Sequence, residues 1–275
     1  MLAIYKGCIW SYVSKLLTVE FTGGSKRCNK HARAAIRLGF NDAGTWSSKL
    51  AAAGQDFGGA DGSIVLAAAE IKRPDNNGLQ NIVKKMKTWQ KLFGVGMADL
   101  IQFAAVHAVV TCPLGPRIRF FAGRKDSSKA AVDGLLPSAR GTAEEVISLF
   151  EDKTISPHEL QFNFDKNKKG APQDSTPGVW DVKCYNETVG TAPKEIVRFP
   201  ADVALAADSR MSNEWTKFWQ GNGLGQDYWN ADYATAYTRL SLLGVNNINN
   251  LTECSKVLPK VRPVFAGASK KLIDD

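Results

Sequence analysis

The sequence predicts a mainly α-helical protein with minor short strands. Apolar residues recur at helical spacing in seven segments, at 10–19, 30–41, 78–93, 97–111, 142–151, 201–207 and 231–243. Glycine, proline and asparagine cluster between them and mark loops at 54–62, 73–78, 113–116 and 170–178. The chain has 275 residues, 44% of them hydrophobic, and no stretch approaches the length of a transmembrane helix. It is therefore expected to bury one large core.

The remaining elements are weaker signals. Short extended pieces are expected around 118–121 and 196–199. Segment 156–159 predicts a helix start, with Ser156 as N-cap, Pro157 in the first turn and Glu159 completing a capping box. A long amphipathic helix is expected to follow, but 166–170 is polar and turn-like. Since no Pro/Ser-rich linker divides the chain, we predict a single domain over 1–275.

The net charge of +8 comes from dispersed lysines rather than from one basic patch. No nucleic-acid-binding motif accompanies them, so we interpret the charge as a solvated surface. We expect a monomer that binds neither nucleic acid nor membranes. Residues 1–8 are too short and too polar for a signal peptide. Either Met1 replaces a native signal, or the protein is made without one.

The five cysteines include no CxxC pair, and their spacing alone does not assign partners. Two sequons, at Asn186 and Asn250, are consistent with a secreted glycoprotein.

Ordered blocks from Cys8 to about Pro263 resemble the fungal secreted (class II) haem peroxidases. The blocks are 32–46, 58–63, 112–117, 122–126, 174–181 and 202–210. The resemblance implies a haem-peroxidase-like fold in which two helical halves face a central cavity. The distal half would span about 1–126 and the proximal half about 127–275.

The helix at 30–41 carries the distal site of that family with one substitution. The family reads Arg, two residues, Phe, His, Asp; here Arg37, Phe40 and Asp42 are present and Asn41 replaces the His. In relatives this His takes a proton from hydrogen peroxide, the Arg steadies the departing oxygen and the Phe lies over the haem. An amide has no pKa in the useful range and cannot do general acid–base work. Asn41 is either a satisfied amide that holds its helix or, with Arg37, a polariser of a carbonyl.

Other residues match family positions that contact the distal or proximal His, although both histidines are absent from the matching positions here. Glu70 and Asn76 match the pair that orients the distal His in relatives. Here they are expected to lack that histidine, because Asn41 replaces it. Asp202 matches the carboxylate that accepts the proximal His N–H. Between Leu160 and Phe162 roughly three turns of helix are missing, and the proximal His is missing with them.

Two histidines are possible alternative haem ligands. His107 lies on an apolar helix face, which is more typical of a hydrogen-bonded core residue. His158 would ligate the haem iron only if its helix shifted along its axis by whole turns. We therefore predict that the protein does not hold stoichiometric haem.

The resemblance also implies calcium sites and disulfides. Distal Ca²⁺ ligands would be Asp42, Gly59, Asp61 and Ser63; proximal ligands would be Asp174, Thr176, Val179 and Asp181. Cys28–Cys112 and Cys8–Cys254 match family disulfides, which leaves Cys184 unpaired. Two long-range bridges indicate an oxidising compartment, so secretion is expected.

These features predict a degenerate peroxidase without haem-dependent peroxide chemistry. The former haem cavity, lined by Arg37, Phe40 and Asn41, would hold a small apolar or aromatic molecule, bound or transformed without redox chemistry. One alternative is a haem-binding peroxidase with an atypical ligand, and another is a secreted fungal interaction protein. Phe162 and Phe164 would either fill the space of the lost helix or leave a pocket open, and we expect an open pocket.

Overall fold

A computed structural model describes residues 2–159 and 172–265, and of residues 2–8 and His158 only the backbone. The described helices are α1 (Leu2–Phe21), α2 (Lys30–Ala43), α3 (Ser48–Ala52), α4 (Ser63–Leu66), α5 (Gln80–Phe93), α6 (Met97–Thr111), α7 (Ala143–Asp152), α8 (Lys183–Val189), α9 (Pro200–Ala207), α10 (Ser212–Gln220) and α11 (Gly225–Leu240). Strand β1 (Phe121–Ala122) pairs antiparallel with β2 (Thr252–Glu253). Short 3₁₀ turns occupy Glu70–Lys72, Pro74–Asn76, Pro157–Glu159, Ile248–Asn250 and Ser255–Val257. The mainly α prediction is confirmed.

Several of the predicted elements differ from the structure, among them the helix expected at 10–19, which begins at Leu2. The helix expected at 231–243 begins earlier, at Gly225, and ends at Leu240. Segment 196–199 forms no strand; instead the Val197 N–H donates to the Pro172 carbonyl, 3.0 Å away. A short apolar run becomes a strand only where a neighbouring chain offers a ladder of hydrogen bonds.

Helix α6 is the centre of the core. All of its residues are buried, because it is apolar on every face and α1, α2 and α5 pack around it. In the part of the chain that the structure describes, no single helix is long and apolar enough to cross a membrane. Only the pair α5 and α6, bent by 114°, meets that test of length and composition.

Two links tie α6 to its surroundings. The Cys28–Cys112 disulfide joins the start of α2 to the end of α6, as predicted. At the other end of α6, Asp99 accepts hydrogen bonds from the Gly123 and Arg124 N–H groups and from Arg124 Nη1. This ion pair is buried and hydrogen-bonded, which is the arrangement that a buried charge requires.

A cluster of aromatic side chains fills the core between α8, α10 and α11. Trp229 Nε1 donates to the Tyr185 hydroxyl at 2.6 Å, and Tyr233 stacks on Tyr237. The Tyr237 hydroxyl donates to Gln102 Oε1 on α6, 3.2 Å away. The two parts of the chain are thus packed through one core over the described residues. The single domain over 1–275, with halves at about 1–126 and 127–275, stays a prediction.

Helix α7 leads to the segment where the sequence is shortened. It begins with a capping box between Thr142 and Glu145 and buries Val146, Ile147 and Phe150. The predicted helix start after it is a 3₁₀ turn, in which Ser156 N–H and Oγ both donate to Glu159 Oε2. The loss of helical turns predicted between Leu160 and Phe162 falls outside the described residues.

Candidate functional site

Helix α2 positions the predicted distal residues. Its N-cap is Asn29, whose Oδ1 accepts the N–H groups of His31 and Ala32. Gly39 faces α6 and α11 so closely that a Cβ there would lie 2.3 Å from the Tyr237 hydroxyl and 2.6 Å from Ala105 Cβ. This close approach fixes the rotation of α2 about its own axis. Arg37 and Asn41, one turn apart, therefore face the loop at 75–77.

Arg37 and Asn41 both donate to that loop. Arg37 Nη2 lies 2.8 Å from the Asp75 carbonyl and 2.9 Å from the Asn77 carbonyl. Asn41 Nδ2 lies 3.1 Å from the same Asp75 carbonyl and 2.8 Å from Asn76 Oδ1. The structure brings these residues together as the sequence predicted. Because an amide is neither an acid nor a base at ordinary pH, Asn41 cannot transfer protons.

Glu70 and Asn76 were expected to lack the distal His that they orient in relatives, and Asn76 contacts Asn41 in its place. Asn76 Oδ1 accepts from Asn41, and Asn76 Nδ2 donates to the Glu70 carbonyl at 2.8 Å. Glu70 Oε2 in turn accepts the Ala131 N–H at 3.0 Å. Burial raises the pKa of Glu70. The pair remains a hydrogen-bonded support, because the amide of Asn41 offers an N–H donor just as an imidazole would.

Phe40 packs against α7. Its ring stacks on Phe150 with centroids 6.0 Å apart and planes 25° from parallel. Around Gly44, a Cβ would lie 3.1 Å from Leu136 Cδ2 and 3.9 Å from Phe40 Cε1. Leu136 of the loop at 132–136 therefore lies close to the end of α2 at Gly44.

A groove lies beside this loop. The space enclosed within it is about 10 Å³, enough for a single water molecule. The lining residues are Thr45, Arg73, Asp75, Asn76, Val132, Asp133, Gly134, Leu135 and Leu136. The groove thus reaches the two residues that hold Asn41. Phe162 and Phe164, which would close the proximal wall of the expected central cavity, lie outside the described residues, so that cavity stays a prediction.

The predicted distal calcium ligands form an acidic cluster behind α2. Asp42 Oδ2 accepts the Gly62 N–H, and Asp61 Oδ1 accepts the Ser63 N–H. Gly59 has φ 89°, and a Cβ there would meet the Leu243 carbonyl oxygen at 2.3 Å. Burial, together with the charges of Asp61 and Glu70, raises the pKa of Asp42 well above its ordinary value. Neighbouring carboxylates that are buried repel one another unless a proton or a cation intervenes.

Three buried oxygens of this cluster have no hydrogen-bond partner in the structure. They are Asp42 Oδ1, Ser63 Oγ and Glu70 Oε1. Native proteins rarely leave such atoms unsatisfied. Oxygen-only donors of this kind fit a hard dication. In the described part of the chain, however, no three His, Cys, Asp or Glu side chains are grouped closely enough to hold a metal by themselves.

The predicted proximal ligands also lie together. Asp174 Oδ1 accepts the Thr176 N–H at 2.8 Å, and the Thr176 hydroxyl donates to Asp181 Oδ2 at 2.7 Å. The Val179 N–H donates to the Thr176 carbonyl and closes the turn. Burial and the charge of Asp181 raise the pKa of Asp174 to about 7. The buried carboxylates of Asp174 and Asp181 therefore repel each other when both are charged.

Asp202 was expected to lack the proximal His that it contacts in relatives. In the structure, Asp202 Oδ2 accepts a hydrogen bond from Gln173 Nε2 at 3.4 Å, a side chain next to the predicted proximal calcium ligands. This contact could not be predicted, because Gln173 is far from Asp202 along the chain and amide side chains carry no periodic signal.

His107 is enclosed in the core. Its Nε2 lies 3.1 Å from the Ser14 hydroxyl and 3.3 Å from the Thr18 hydroxyl, and its Nδ1 lies 3.2 Å from the Thr111 hydroxyl. Burial lowers its pKa to about 4. Both ring nitrogens are thus engaged by hydroxyl groups of α1 and α6. The side chain of His158 lies outside the described residues.

The cysteines beyond the Cys28–Cys112 bridge are partly described. Cys254 is buried beside β2, but the side chain of Cys8 lies outside the described residues, so the pair Cys8–Cys254 stays a prediction. Cys184 forms no disulfide.

Sequence reasoning did not single out Lys153 as a buried residue. Its side chain is fully buried, and Nζ has no hydrogen-bond partner among the described residues. Lys153 is the C-cap residue of α7 and follows the buried Phe150 by three positions, which is the spacing that could have indicated its burial.

Comparisons with known proteins agree with the resemblance. A family model described as "Peroxidase" matches residues 18–162. A peroxidase of Arthromyces ramosus is 33% identical over 282 aligned positions, which cover 92% of this chain and 76% of that protein. A peroxidase of Coprinopsis cinerea shows the same identity and coverage. Ligninase H2 of Phanerodontia chrysosporium is 33% identical, with 90% of this chain and 73% of the ligninase covered. With its helical fold, this chain belongs to the peroxidase family, among the fungal class II peroxidases.

Proposed function

We propose that this chain is a peroxidase-fold protein that has lost ordinary haem-dependent peroxide chemistry. The observation that carries the proposal is the placement of Asn41, whose Nδ2 donates to Asp75 O and to Asn76 Oδ1. Peroxide cleavage needs a group that takes up a proton and returns it to the leaving oxygen. A carboxamide in that position can do neither.

Haem ligation is the second requirement, and the residues fit it poorly. The sequence lacks the segment that carries the proximal His in relatives. His107 has hydroxyl partners at both ring nitrogens and is enclosed by Phe21 and Phe103. A haem-binding peroxidase with an atypical ligand is the competing function, favoured by the family relationship itself.

The site that remains favours a small apolar or aromatic molecule. Its groove combines the apolar side chains of Val132, Leu135 and Leu136 with polar groups at Arg73 and Asn76. Small-molecule sites commonly pair such an apolar lining with a few polar groups that fix orientation. Binding, or a non-redox transformation of the bound molecule, is the proposed role, and the protein acts as a monomer without nucleic-acid or membrane partners.

Calcium is the proposed metal of the fold. At the distal site, Asp42 Oδ1 and Ser63 Oγ would bind the ion, with Asp61, the Gly59 carbonyl and water completing an oxygen shell. At the proximal site, the side chains of Asp174, Thr176 and Asp181 would do so with the Val179 carbonyl. In both places a dication would relieve the repulsion between buried carboxylates.

Secretion is the proposed destination. The Cys28–Cys112 disulfide indicates an oxidising compartment, and the sequon residues Asn186 and Asn250 are exposed. A secreted interaction protein remains an alternative that ligand binding would exclude.

The proposal is tested by adding haem to the purified protein and to Asn41→His, His107→Ala and a surface variant outside the site, Lys91→Ala. We expect no stoichiometric Soret band and negligible oxidation of guaiacol in the unaltered protein. A Soret band near one haem per chain, with turnover that His107→Ala abolishes, would establish the competing function. Turnover restored by Asn41→His alone would show that the proximal side still holds haem. It would also show that the amide of Asn41 is what prevents peroxidase activity.

A further inference from the structure

The positive charge of this chain is dispersed along the sequence, but the fold gathers much of it near the end of α6 that carries the disulfide. Three segments, 22–33, 111–120 and 251–265, contain nine of the 35 basic residues and one of the 27 acidic residues. The rest of the chain therefore has as many acidic as basic residues. The whole net charge of +8 belongs to these three segments.

The three segments lie side by side. The Cys28–Cys112 disulfide joins the first segment to the second. The Leu114 N–H donates to the Arg262 carbonyl at 2.8 Å, and Arg262 Nη1 donates to the Lys26 carbonyl, also at 2.8 Å. The third segment thus contacts both of the others. Strand β2, in the third segment, pairs with β1, which directly follows the second.

Six cations of these segments are exposed, and we call them the basic surface: Lys26, Lys30, Arg117, Arg119, Lys256 and Lys260. Arg117 and Arg119 alternate with the buried side chains of Ile118 and Phe120, so both arginines point outward from one side of their segment. Among the described residues, Arg119 is the one member of the basic surface that forms an ion pair, with Glu253. Cations held together without counter-charges repel one another, so a polyanion that contacts them is attracted to this surface.

The Arg119–Glu253 pair indicates which anion the basic surface suits. Arg119 Nε lies 3.3 Å from Glu253 Oε1 and Nη2 lies 2.9 Å from Oε2, which is a two-pronged contact with a carboxylate. The hydrogen bond from Arg119, to which the charge of Lys256 adds, lowers the pKa of Glu253. A carboxylate therefore stays ionised at this surface.

The spread of the cations favours a polymer over a small anion. A single exposed ion pair contributes little, and several must act together for stable binding. The Cys28–Cys112 disulfide indicates an oxidising compartment, and the sequence carries no nucleic-acid-binding motif. Outside cells, the polymers with regularly repeated carboxylates are acidic polysaccharides.

We propose that the basic surface binds an acidic polysaccharide through the carboxylates of its uronate residues. Those carboxylates pair with Arg117 and with the exposed lysines around it. The binding is non-covalent and goes beyond the proposed function, because no member of the basic surface lines the groove at 132–136. Its outcome is therefore independent of haem and of any ligand in the groove.

The first test is a titration of the unaltered protein with polygalacturonate, followed by calorimetry. The fully methyl-esterified polymer has the same backbone without the charges and is the matched control. We expect binding of polygalacturonate alone, weakening steeply between about 0.05 and about 0.3 M salt because exposed charges are screened. Equal binding of the ester, or no binding of either polymer at low salt, would overturn the proposal.

The second test compares two triple variants that lose the same net charge. One replaces three lysines of the basic surface by glutamine, and the other replaces three exposed lysines of α5: Lys26, Lys256 and Lys260 against Lys84, Lys87 and Lys91. The first variant should bind polygalacturonate roughly tenfold more weakly, and the second should stay within about twofold of the unaltered protein. Equal losses would show that net charge alone attracts the polymer and would contradict the proposal.

A third measurement needs no variant and stands even if a triple variant does not fold. Polygalacturonate should protect Lys26, Lys256 and Lys260 of the unaltered protein from acetylation, as mapped by mass spectrometry, and should leave the α5 lysines reactive. Protection confined to α5 would place the polymer elsewhere and overturn the proposal. So would tighter binding of single-stranded DNA or of anionic lipid vesicles than of polygalacturonate at the same salt concentration, because the partner would then belong to another class.

Discussion

Asn41 Nδ2 lies 2.8 Å from Asn76 Oδ1, so the amide at the distal position donates a hydrogen bond to the residue that supports the distal His in relatives. Asn76 Nδ2 donates to the Glu70 carbonyl, and the Glu70 carboxylate accepts the Ala131 N–H. The substitution keeps the donor and removes the proton-exchanging atom. This arrangement accounts for the hydrogen-bonded position of Asn41 without an imidazole.

The first prediction concerns the contribution of the Asn41–Asn76 hydrogen bond to the stability of the fold. Asn41→Leu should lower the free energy of unfolding by about 1–3 kcal/mol, because it leaves the buried Asn76 Oδ1 without its donor. Urea denaturation measures the change. Asn77→Ala is the matched control, since it removes an exposed amide and keeps the carbonyl that accepts from Arg37. Equal midpoints for the two variants would contradict the prediction.

The second prediction concerns calcium. If Asp42 and Ser63 bind the ion, chelation with EDTA should lower the melting temperature, by roughly 5–10 °C from calcium at about 100 times its Kd. Asp61→Ala should abolish that sensitivity, whereas Asp75→Asn, at an exposed carboxylate, should retain it. An unchanged melting curve after chelation, with no metal found by elemental analysis, would rule out the sites.

The third prediction concerns the disulfides. Cys28 and Cys112 are 84 positions apart, and the chain-entropy estimate for a loop of this size is about 4–5 kcal/mol. The double substitution to serine should lower the free energy of unfolding by an amount approaching that value. Mass mapping without reduction should find Cys8 joined to Cys254 and only Cys184 open to alkylation. A bridged Cys184 would contradict the assignment.

Helices α2 and α5 could be predicted from the sequence because their apolar periodicity is local, and α6 because its apolar run is long enough for a helix. The contacts of Asn41 could not, since its partners lie about 35 positions away and the match to the family defined Asn76 by an imidazole partner. The strand expected at 196–199 failed for the same reason: pairing depends on a partner elsewhere in the chain. Lys153 was overlooked because a lysine at the end of a helix is usually solvated, and tertiary packing alone buries it.

The fourth prediction concerns acid. The pKa of His107 is about 4 in the folded protein, against 6.5 when exposed, because burial disfavours its charged form. Between these values the unfolded state binds more protons, so stability falls as the pH is lowered through the window, by up to about 3 kcal/mol. His107→Gln should remove this share of the pH dependence. Parallel stability curves for the two proteins between pH 6.5 and 4 would show that His107 is not the cause.

The last prediction concerns Lys153 and alkaline pH. With a folded pKa of about 8 and an ordinary value of 10.5, the unfolded state binds more protons between these limits, so stability rises with pH across that window. Below pH 8 the buried amine costs the fold about 3 kcal/mol, the equivalent of that shift. Lys153→Met replaces the amine by an apolar chain of similar length and should stabilise the protein at pH 7, with the gain vanishing above pH 10.5. Lys49→Met, at an exposed position, should change neither quantity. A Lys153→Met variant less stable than the unaltered protein at pH 7 would show that the amine has a stabilising partner.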